Sequence, residues 1–250
     1  SEFVRGAFDG KTDKPVRKMP LAVELPAKPA PARERFGLSA RRFHFLIMFD
    51  GNSWLSRKNP VAAVRAFKQA FPSDPNVGLV IKAISLNRQS AGWQAVEQEL
   101  QGDARVTVID QTLDRIELVQ LMASCDAYVS LHRSEGFGRI IAESMLLGLP
   151  TVTTAFSGNV DFCRNDTSFL VNGPMVPLTA ADYILHEGQY WCDPDVPQAV
   201  QQMRRVVEDR AQARRIAAQA QQLIQNDYSI QAVAKAYSQR LRELRAAGTI

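Results

Sequence analysis

The sequence predicts an α/β fold in which helices cover both faces of a parallel β-sheet. Apolar runs of strand length alternate with longer segments whose apolar residues recur at helical spacing. Several of the runs are continuous, as in FHFLIMF at residues 43–49, which is typical of strands buried on both faces. Strictly alternating elements of this kind form βαβ units, and these units build a parallel sheet.

The elements follow one another in order from residue 43 onward. The strands are predicted at residues 43–49, 77–84, 105–109, 127–132, 150–154 and 168–172. The helices are predicted at residues 60–71, 91–100, 115–124, 138–148, 196–208, 211–225 and 230–245. Pro60 suits a first helical turn, and Gly148 suits the position after a last turn. We expect about six parallel strands, with the last three helices packed on one side of the sheet.

Residues 1–35 are polar and rich in proline, with prolines at positions 15, 20, 26, 29 and 31. This composition is typical of a linker, and one short extended segment is expected at residues 19–25. The predicted organisation is therefore a linker over residues 1–35, followed by one domain over residues 36–250.

The charge and the cysteines narrow the class of protein. The net charge is +4, and much of the excess lies in eight arginines of the C-terminal third: Arg204, Arg205, Arg210, Arg214, Arg215, Arg240, Arg242 and Arg245. Solvated helix faces explain them, and peripheral contact with acidic membrane lipid is the alternative. Nucleic-acid binding is not expected, because no recognition motif or aromatic interleaving is present.

The three scattered cysteines favour a reducing, cytoplasmic location, and together with the dispersed histidines they predict no metal site.

The segment HRSEGFGRIIAES, residues 132–144, joins a predicted strand to a predicted helix. Gly136 and Gly138 allow a ligand to approach the backbone closely, and the following helix N-terminus attracts anions. The segment is not a dinucleotide fingerprint, because Ile141 stands where a third glycine is needed. A glycine pair at such a turn also occurs for purely structural reasons.

Two glutamates flank this turn. Glu143 lies on the helix face away from Ile141, and Glu135 lies in the preceding loop. Neither carboxylate attracts a phosphate. Each can, however, accept hydrogen bonds from hydroxyl groups, and the two glutamates are placed so that such hydroxyl groups would flank a phosphate at the turn. A nucleotide-diphosphate sugar has this layout of ribose, diphosphate and hexose. A surface ion pair between Arg139 and Glu143 is the alternative, and it would contribute only about 0.3–0.5 kcal/mol.

The segment SEGFGRIIAESMLLGLPTVTT resembles the donor-site signature of retaining glycosyltransferases of the GT-B fold, group 1 (family 4), in which the two glutamates form the EX7E motif. FDGNSWLSRKNPVAAVRAF, SCDAYVSLHRSEGFG, SGNVDF, WCDPDVPQAVQQMRRVVED and YSIQAVAKAYSQRL resemble further segments of that family in the same order. The resemblance covers the chain from about residue 43. It implies one Rossmann-like half of a GT-B fold, namely the C-terminal domain that binds the donor.

The resemblance also implies roles for individual residues. Glu135 would lie beside the donor hexose, Glu143 would bind the ribose, and Lys58 would neutralise the departing diphosphate. The backbone of Gly136, Phe137 and Gly138 would contact the sugar, that of Arg139 and Ile140 the phosphates, and the region of Ile109 and Asp110 the base. Glu135 and Lys58 are thus the candidate catalytic residues.

One departure from the family concerns the loop before Lys58. The family usually has an arginine five or six residues earlier, where this chain has Asn52 and Ser53. Asn52 and Arg57 are assigned to the donor site, with Arg57 or Arg133 as the substitute cation. The alternative for Arg57 and Lys58 is a solvated pair of loop charges.

Three further interpretations stay open. Asp161 is either a helix cap or a donor contact. His132 is interpreted as a polar residue at a strand end rather than as a catalytic base. The tryptophans are interpreted as packing residues rather than sugar platforms.

The predicted function is a glycosyltransferase domain that binds a nucleotide-diphosphate sugar for retaining transfer of a hexose to an acceptor hydroxyl. No cofactor is expected. An N-terminal, acceptor-binding domain is the expected partner, and the fragment alone is expected to be inactive. The alternatives are a nucleotide-sugar-binding module without transfer activity and a GT-B sugar epimerase. The base, the hexose and the acceptor are not identified.

Overall fold

The computed structural model describes residues 1–26 and 29–249. Its main sheet contains β1 (Phe43–Asp50), β2 (Val77–Ile84), β3 (Val106–Ile109), β4 (Ala127–Ser130), β5 (Thr151–Thr154) and β6 (Phe169–Val171). The strands lie in the order β3-β2-β1-β4-β5-β6, and every neighbouring pair is parallel. The predicted six-stranded, Rossmann-like sheet is therefore confirmed. The strand order runs outward in one direction from β1 to β3 and in the other direction from β4 to β6, so the order switches between β1 and β4. Ligands bind at this switch point in such folds.

Nine α-helices are found in residues 1–26 and 29–249. They are α1 (Glu2–Gly6), α2 (Leu55–Lys58), α3 (Pro60–Ala70), α4 (Ala91–Leu100), α5 (Arg115–Ala123), α6 (Arg139–Leu146), α7 (Val196–Glu208), α8 (Arg210–Asp227) and α9 (Ile230–Ala246). The seven predicted helices correspond to α3–α9. None of the helices in the described part of the chain is long and apolar enough to cross a membrane.

The sheet separates two apolar cores. Helices α3, α4 and α7 pack on one face, and α5 and α6 pack on the other. The expectation that the last three helices pack on one side is wrong. Ala213 and Ile216 of α8 join the first core, whereas Ala220 and Ile224 join the second. An α-helix of 18 residues is about 27 Å long, enough to reach from one face to the other.

Besides the 3₁₀ turns Glu34–Phe36 and Gly158–Asp161, three elements of the described residues have no counterpart among the predicted ones. The short helices α1 and α2 are two of them, and an antiparallel hairpin of β7 (Met175–Pro177) and β8 (Tyr190–Cys192) is the third. Residues 19–25, expected to be extended, form no strand. Val23 is nevertheless buried, and its N–H donates to the Tyr228 carbonyl at 2.8 Å. The division between linker and domain stays a prediction.

Two turns pack backbone against backbone beside α6. Gly158 opens the 3₁₀ turn Gly158–Asp161, and a Cβ atom at position 158 would lie 1.9 Å from the Gly136 carbonyl oxygen. Only glycine therefore permits this approach of the two loops.

Gly158→Ala is expected to lower the free energy of unfolding by about 3 kcal/mol, because overpacking against backbone forces a shift of the loops. Urea denaturation measures the loss. Gly136→Ala is the matched control, since the nearest atom to its new Cβ is 3.9 Å away. Equal denaturation midpoints for the two variants would show that the turns do not pack as described.

Candidate functional site

The carboxyl ends of β1 and β4 open onto a cavity of about 160 Å³. Lys58, Glu135, Gly138 and Arg139 contribute to its lining. The structure therefore brings together two predicted regions, one from the loop after β1 and the other from the turn after β4.

The turn after β4 presents the N-terminus of α6. Gly138 is the N-cap residue in the left-handed conformation, with φ 88°, and a Cβ there would lie 2.9 Å from Ile141 Cδ1. Because the N-cap residue is glycine, it supplies no capping side chain. The N–H groups of the first turn therefore offer a site for an anion.

Ser157 anchors the backbone of Glu135. The Glu135 N–H donates to Ser157 Oγ at 2.7 Å, and the Gly158 N–H donates to the Glu135 carbonyl at 2.8 Å. Ser157 itself has φ 77° and ψ −150°, a costly conformation for a residue with a side chain. This strained residue therefore fixes the position of the Glu135 backbone.

The Glu135 carboxylate lies between two cations. Lys58 Nζ is 2.5 Å from Glu135 Oε1, and Arg57 Nη1 is 3.3 Å from the same oxygen. Burial of the carboxyl group opposes its ionisation, but the ion pair and hydrogen bond with Lys58, aided by Arg57, outweigh burial and lower the pKa of Glu135. The interpretation of Arg57 and Lys58 as a solvated pair of loop charges is therefore wrong.

Glu143 is almost completely buried, with 1% of its surface exposed. Arg115, the first residue of α5, makes a two-pronged contact with it: Nη2 to Oε1 at 2.7 Å and Nη1 to Oε2 at 3.0 Å. The alternative of a surface pair with Arg139 is wrong, since Glu143 pairs with Arg115 and Arg139 Nη1 approaches the Ala22 carbonyl at 3.4 Å.

Of the two substitute cations, only Arg57 reaches Glu135. The Arg133 guanidinium instead donates to Asp193 at 2.8 Å and to the Ser56 carbonyl at 2.8 Å. Arg57 also donates to the Ser134 carbonyl at 2.9 Å. The geometry therefore favours Arg57 as the cation that replaces the arginine of the family.

The remaining predicted residues lie at the same edge of the sheet. Asn52 is exposed in the loop after β1, and its N–H donates to Asp50 Oδ1 at 2.9 Å. Ile109 ends β3 and is buried, whereas Asp110 is exposed and accepts a hydrogen bond from Arg88, which lowers the pKa of Asp110. β3 is two strands away from β1, so these residues extend the site along the edge.

The side chains of the turn face the interior, which leaves its backbone for a ligand. Phe137 packs against Phe162 and Tyr228, with ring centroids 5.1 and 5.7 Å apart. Ile140 packs against the second core. The Gly136 carbonyl accepts a hydrogen bond from the Ser1 hydroxyl at 2.6 Å, so one group of this backbone already has a partner.

Asp161 acts as a cap, although for a distant helix. Its carboxylate accepts from the Glu2 N–H at 3.1 and 3.2 Å, at the start of α1, and pairs with Lys18 at 3.4 Å. These contacts favour the cap over the donor contact.

The tryptophans differ in exposure. Trp93 and Trp191 are buried, as expected of packing residues. Trp54 is 40% exposed and lies against the Tyr183 ring at 5.4 Å.

His132 is enclosed by polar partners. Its Nδ1 lies 2.9 Å from Ser130 Oγ, and its Nε2 lies 3.0 Å from Asn159 Oδ1. No part of the residue is exposed, and burial lowers the pKa of His132. A neutral, fully enclosed imidazole fits the structural interpretation better than the role of a base.

This burial predicts a pH dependence of stability. Because the pKa of His132 is lower in the folded than in the unfolded chain, the unfolded chain binds more protons as the pH falls below about 6.5. The free energy of unfolding is therefore expected to fall between pH 7.5 and 5.5, and His132→Gln is expected to reduce this slope. Urea denaturation of the parent chain and of the variant at the two pH values measures this change in the free energy of unfolding. An unchanged slope in the variant would show that His132 is not the group responsible.

The sequence does not predict the roles that two residues, Arg115 and Ser157, have in the site. Arg115 contacts Glu143 from 28 positions away in the chain, and no spacing rule connects them. Ser157 lies in SGNVDF, but its positive φ is a property of the folded turn.

The C-terminal arginines are partly used inside the chain. Arg204 donates to the Ala70 carbonyl at 3.0 Å, Arg205 to Gln202 at 2.9 Å, and Arg210 lies 3.9 Å from the centre of the Phe43 ring. All three residues are nevertheless exposed, which supports the solvated-face interpretation, and contact with acidic lipid stays a prediction.

The cysteines and the potential metal ligands of the described residues form neither a disulfide nor a metal site. Cys125, Cys163 and Cys192 are free and buried, and burial raises the pKa of each thiol, that of Cys163 to about 12. Within the described ranges, no three histidine, cysteine or acidic side chains cluster in a way that could hold a metal ion.

Solved structures that are similar to this chain include glycosyltransferases. Sucrose-phosphate synthase from Thermosynechococcus elongatus is 22% identical, with a TM-score of 0.73 over 99% of this chain and 57% of that one. The C-terminal domain of a group 1 glycosyl transferase from Francisella tularensis is 16% identical, with a TM-score of 0.62 over 80% of this chain and 96% of that one. Anabaena HepE, solved with UDP and glucose, is 20% identical, with a TM-score of 0.64 over 85% of this chain and 51% of that one.

These likenesses define a Rossmann-like domain of the kind found in GT-B glycosyltransferases. A model of the family described as family 4 glycosyltransferases in conflict systems matches residues 2–236, and the chain belongs to that family. The chain spans about half the length of sucrose-phosphate synthase and of HepE. A comparison with curated protein sequences gives no match.

Proposed function

We propose that this chain is the donor-binding domain of a retaining glycosyltransferase that transfers a hexose from a nucleotide-diphosphate sugar to an acceptor hydroxyl. The observation that carries the proposal is the pair of Lys58 and Glu135 at the N-terminus of α6, with a contact of 2.5 Å. A cation, a carboxylate and a helix N-terminus are thus combined at the switch point of the sheet. HepE, which shares this fold, was solved with UDP-glucose, and this supports a donor of the same chemical class.

In the proposed complex, the diphosphate lies at the first turn of α6, in contact with the N–H groups of Arg139 and Ile140. Glu143 accepts hydrogen bonds from the ribose, and the base lies near Ile109 and Asp110. The hexose lies beside Glu135 and the backbone of residues 136–138. This arrangement follows the order of the donor's own parts along the loop and the helix.

Lys58 has the central role in the proposed chemistry. When the bond between the anomeric carbon and the phosphate oxygen breaks, its electron pair passes to the nucleoside diphosphate. Lys58, released from Glu135, and the positive end of α6 stabilise this charge. The acceptor hydroxyl attacks from the same face of the sugar, and its proton passes to the departing phosphate oxygen.

A thermal-shift screen against nucleoside diphosphates and their sugars tests this proposal. With weak binding near 1 mM and 10 mM ligand, the expected stabilisation is about 1.4 kcal/mol, or roughly 3–6 °C in Tm. Free glucose is expected to give no shift. Lys58→Met is expected to abolish most of the shift, whereas Lys68→Met, which loses only contacts with Glu99 and Gln101, retains it. The absence of a shift with every nucleoside diphosphate would reject the function.

A further inference from the structure

We infer that Arg115 is a specificity-determining residue, because its guanidinium competes with the ribose of the donor for the carboxylate of Glu143. The inference rests on the proposed function, in which Glu143 binds the ribose hydroxyls. It goes further by assigning a competing role to a residue of another helix.

The competition follows from the contacts of Glu143. Each of its carboxylate oxygens accepts one N–H from Arg115, at 2.7 and 3.0 Å. Only 1% of the Glu143 surface is exposed, so no other part of the carboxylate is open to a ligand. A ribose 2′,3′-diol would donate to the same two oxygens. The ribose therefore gains its hydrogen bonds only when Arg115 gives up at least one of its own.

Arg115 can leave without disturbing the helix that carries it. Its side chain is 42% exposed, and its other acceptor is the Glu24 carbonyl at 3.3 Å. The backbone at the start of α5 is held separately, by the capping box of Asp114 and Glu117. Rotation of the Arg115 side chain into solvent therefore opens Glu143 while α5 keeps its place.

This displacement reduces the advantage of a ligand that carries the diol. In the parent protein, the loss of the Arg115 contacts offsets part of the free energy that the hydrogen bonds of the diol contribute. A 2′,3′-dideoxy ligand gains no such bonds and has no need to displace Arg115. Removal of the arginine should therefore increase the preference for the ribose form over the dideoxy form.

Titration calorimetry of the parent chain and Arg115→Met tests the inference, with UDP and GDP and their 2′,3′-dideoxy analogues as ligands. The ratio of the dideoxy Kd to the ribose Kd is expected to rise by about threefold to tenfold in Arg115→Met, through tighter binding of the ribose form. Arg115→Lys keeps the charge but not the two-pronged contact, so its ratio should lie between that of the parent chain and that of Arg115→Met. It also serves as the second variant if Arg115→Met does not fold.

Arg35→Met is the matched control. Arg35 pairs with Glu117 of the same helix α5, outside the site, and its loss should leave the ratio at the parent value. A ratio that stays unchanged or falls in Arg115→Met, while the nucleoside diphosphate still binds, would overturn the inference alone. Failure of the parent and both Arg115 variants to bind UDP, GDP or any other nucleoside diphosphate of the thermal-shift screen at millimolar concentration would overturn the proposed function, and the inference with it.

Discussion

Glu143→Ala is expected to weaken the binding of a nucleoside diphosphate by roughly tenfold to a hundredfold. In the proposed complex, the two ribose hydroxyls lose a charged acceptor, and hydrogen bonds to charged groups contribute about 1.5–3 kcal/mol. The variant is expected to fold, because the Arg115 side chain that loses its partner is 42% exposed and can be hydrated. Titration calorimetry with the ligand found in the thermal-shift screen measures the loss.

Glu99→Ala is the matched control for Glu143→Ala. Glu99 also pairs with an arginine, Arg65 at 2.9 Å, but it lies on α4 and outside the site. Its removal should leave the Kd unchanged. Equal affinities for the parent chain and Glu143→Ala would contradict the ribose role and leave Glu143 as a structural partner of Arg115.

The second large effect concerns turnover. The 250-residue chain is expected to bind a nucleotide sugar without transferring it to an acceptor. Its proposed binding groups lie within this chain, whereas the acceptor site is expected in the additional length that the matched glycosyltransferases have. Correct orientation of two substrates accounts for about 7–11 kcal/mol of a barrier, so its loss would lower the rate by more than a factor of ten thousand.

Product analysis measures this effect. The chain is incubated with a donor and with candidate acceptors, in parallel with a longer protein of the same family that contains both halves, and glycosylated product is quantified. Slow hydrolysis of the donor is compatible with the account. Turnover comparable to that of the longer protein would show that the acceptor-binding groups lie within residues 1–250.

The main sheet follows from the sequence because its strands are apolar on both faces. β1 and β2 are mostly apolar and almost entirely buried, and such segments have few structures available other than buried parallel strands. The course of α8 does not follow in the same way. Its apolar residues show a helix with a buried face, but nothing in their spacing shows that the first half packs on one core and the second half on the other.

The site was predictable to a different degree at each residue. Glu135 and Lys58 are assigned from the resemblance to a family, and their contact joins residues 77 positions apart. For Glu143, the sequence offers Arg139 as an alternative partner, because i,i+4 spacing on a helix is visible in a sequence. The observed partner, Arg115, depends on how α5 and α6 pack together, which is a property of the tertiary structure.

The turn after β4 and the start of α6 are proposed to bind a nucleotide-diphosphate sugar. A crystal structure of the chain with such a ligand tests this claim most directly. We predict that the ribose contacts Glu143, that the phosphates lie at the first turn of α6, and that Lys58 has turned from Glu135 to a phosphate. A ligand bound elsewhere on the domain, with the pairs of Lys58 and Glu135 and of Arg115 and Glu143 both intact, would contradict the claim.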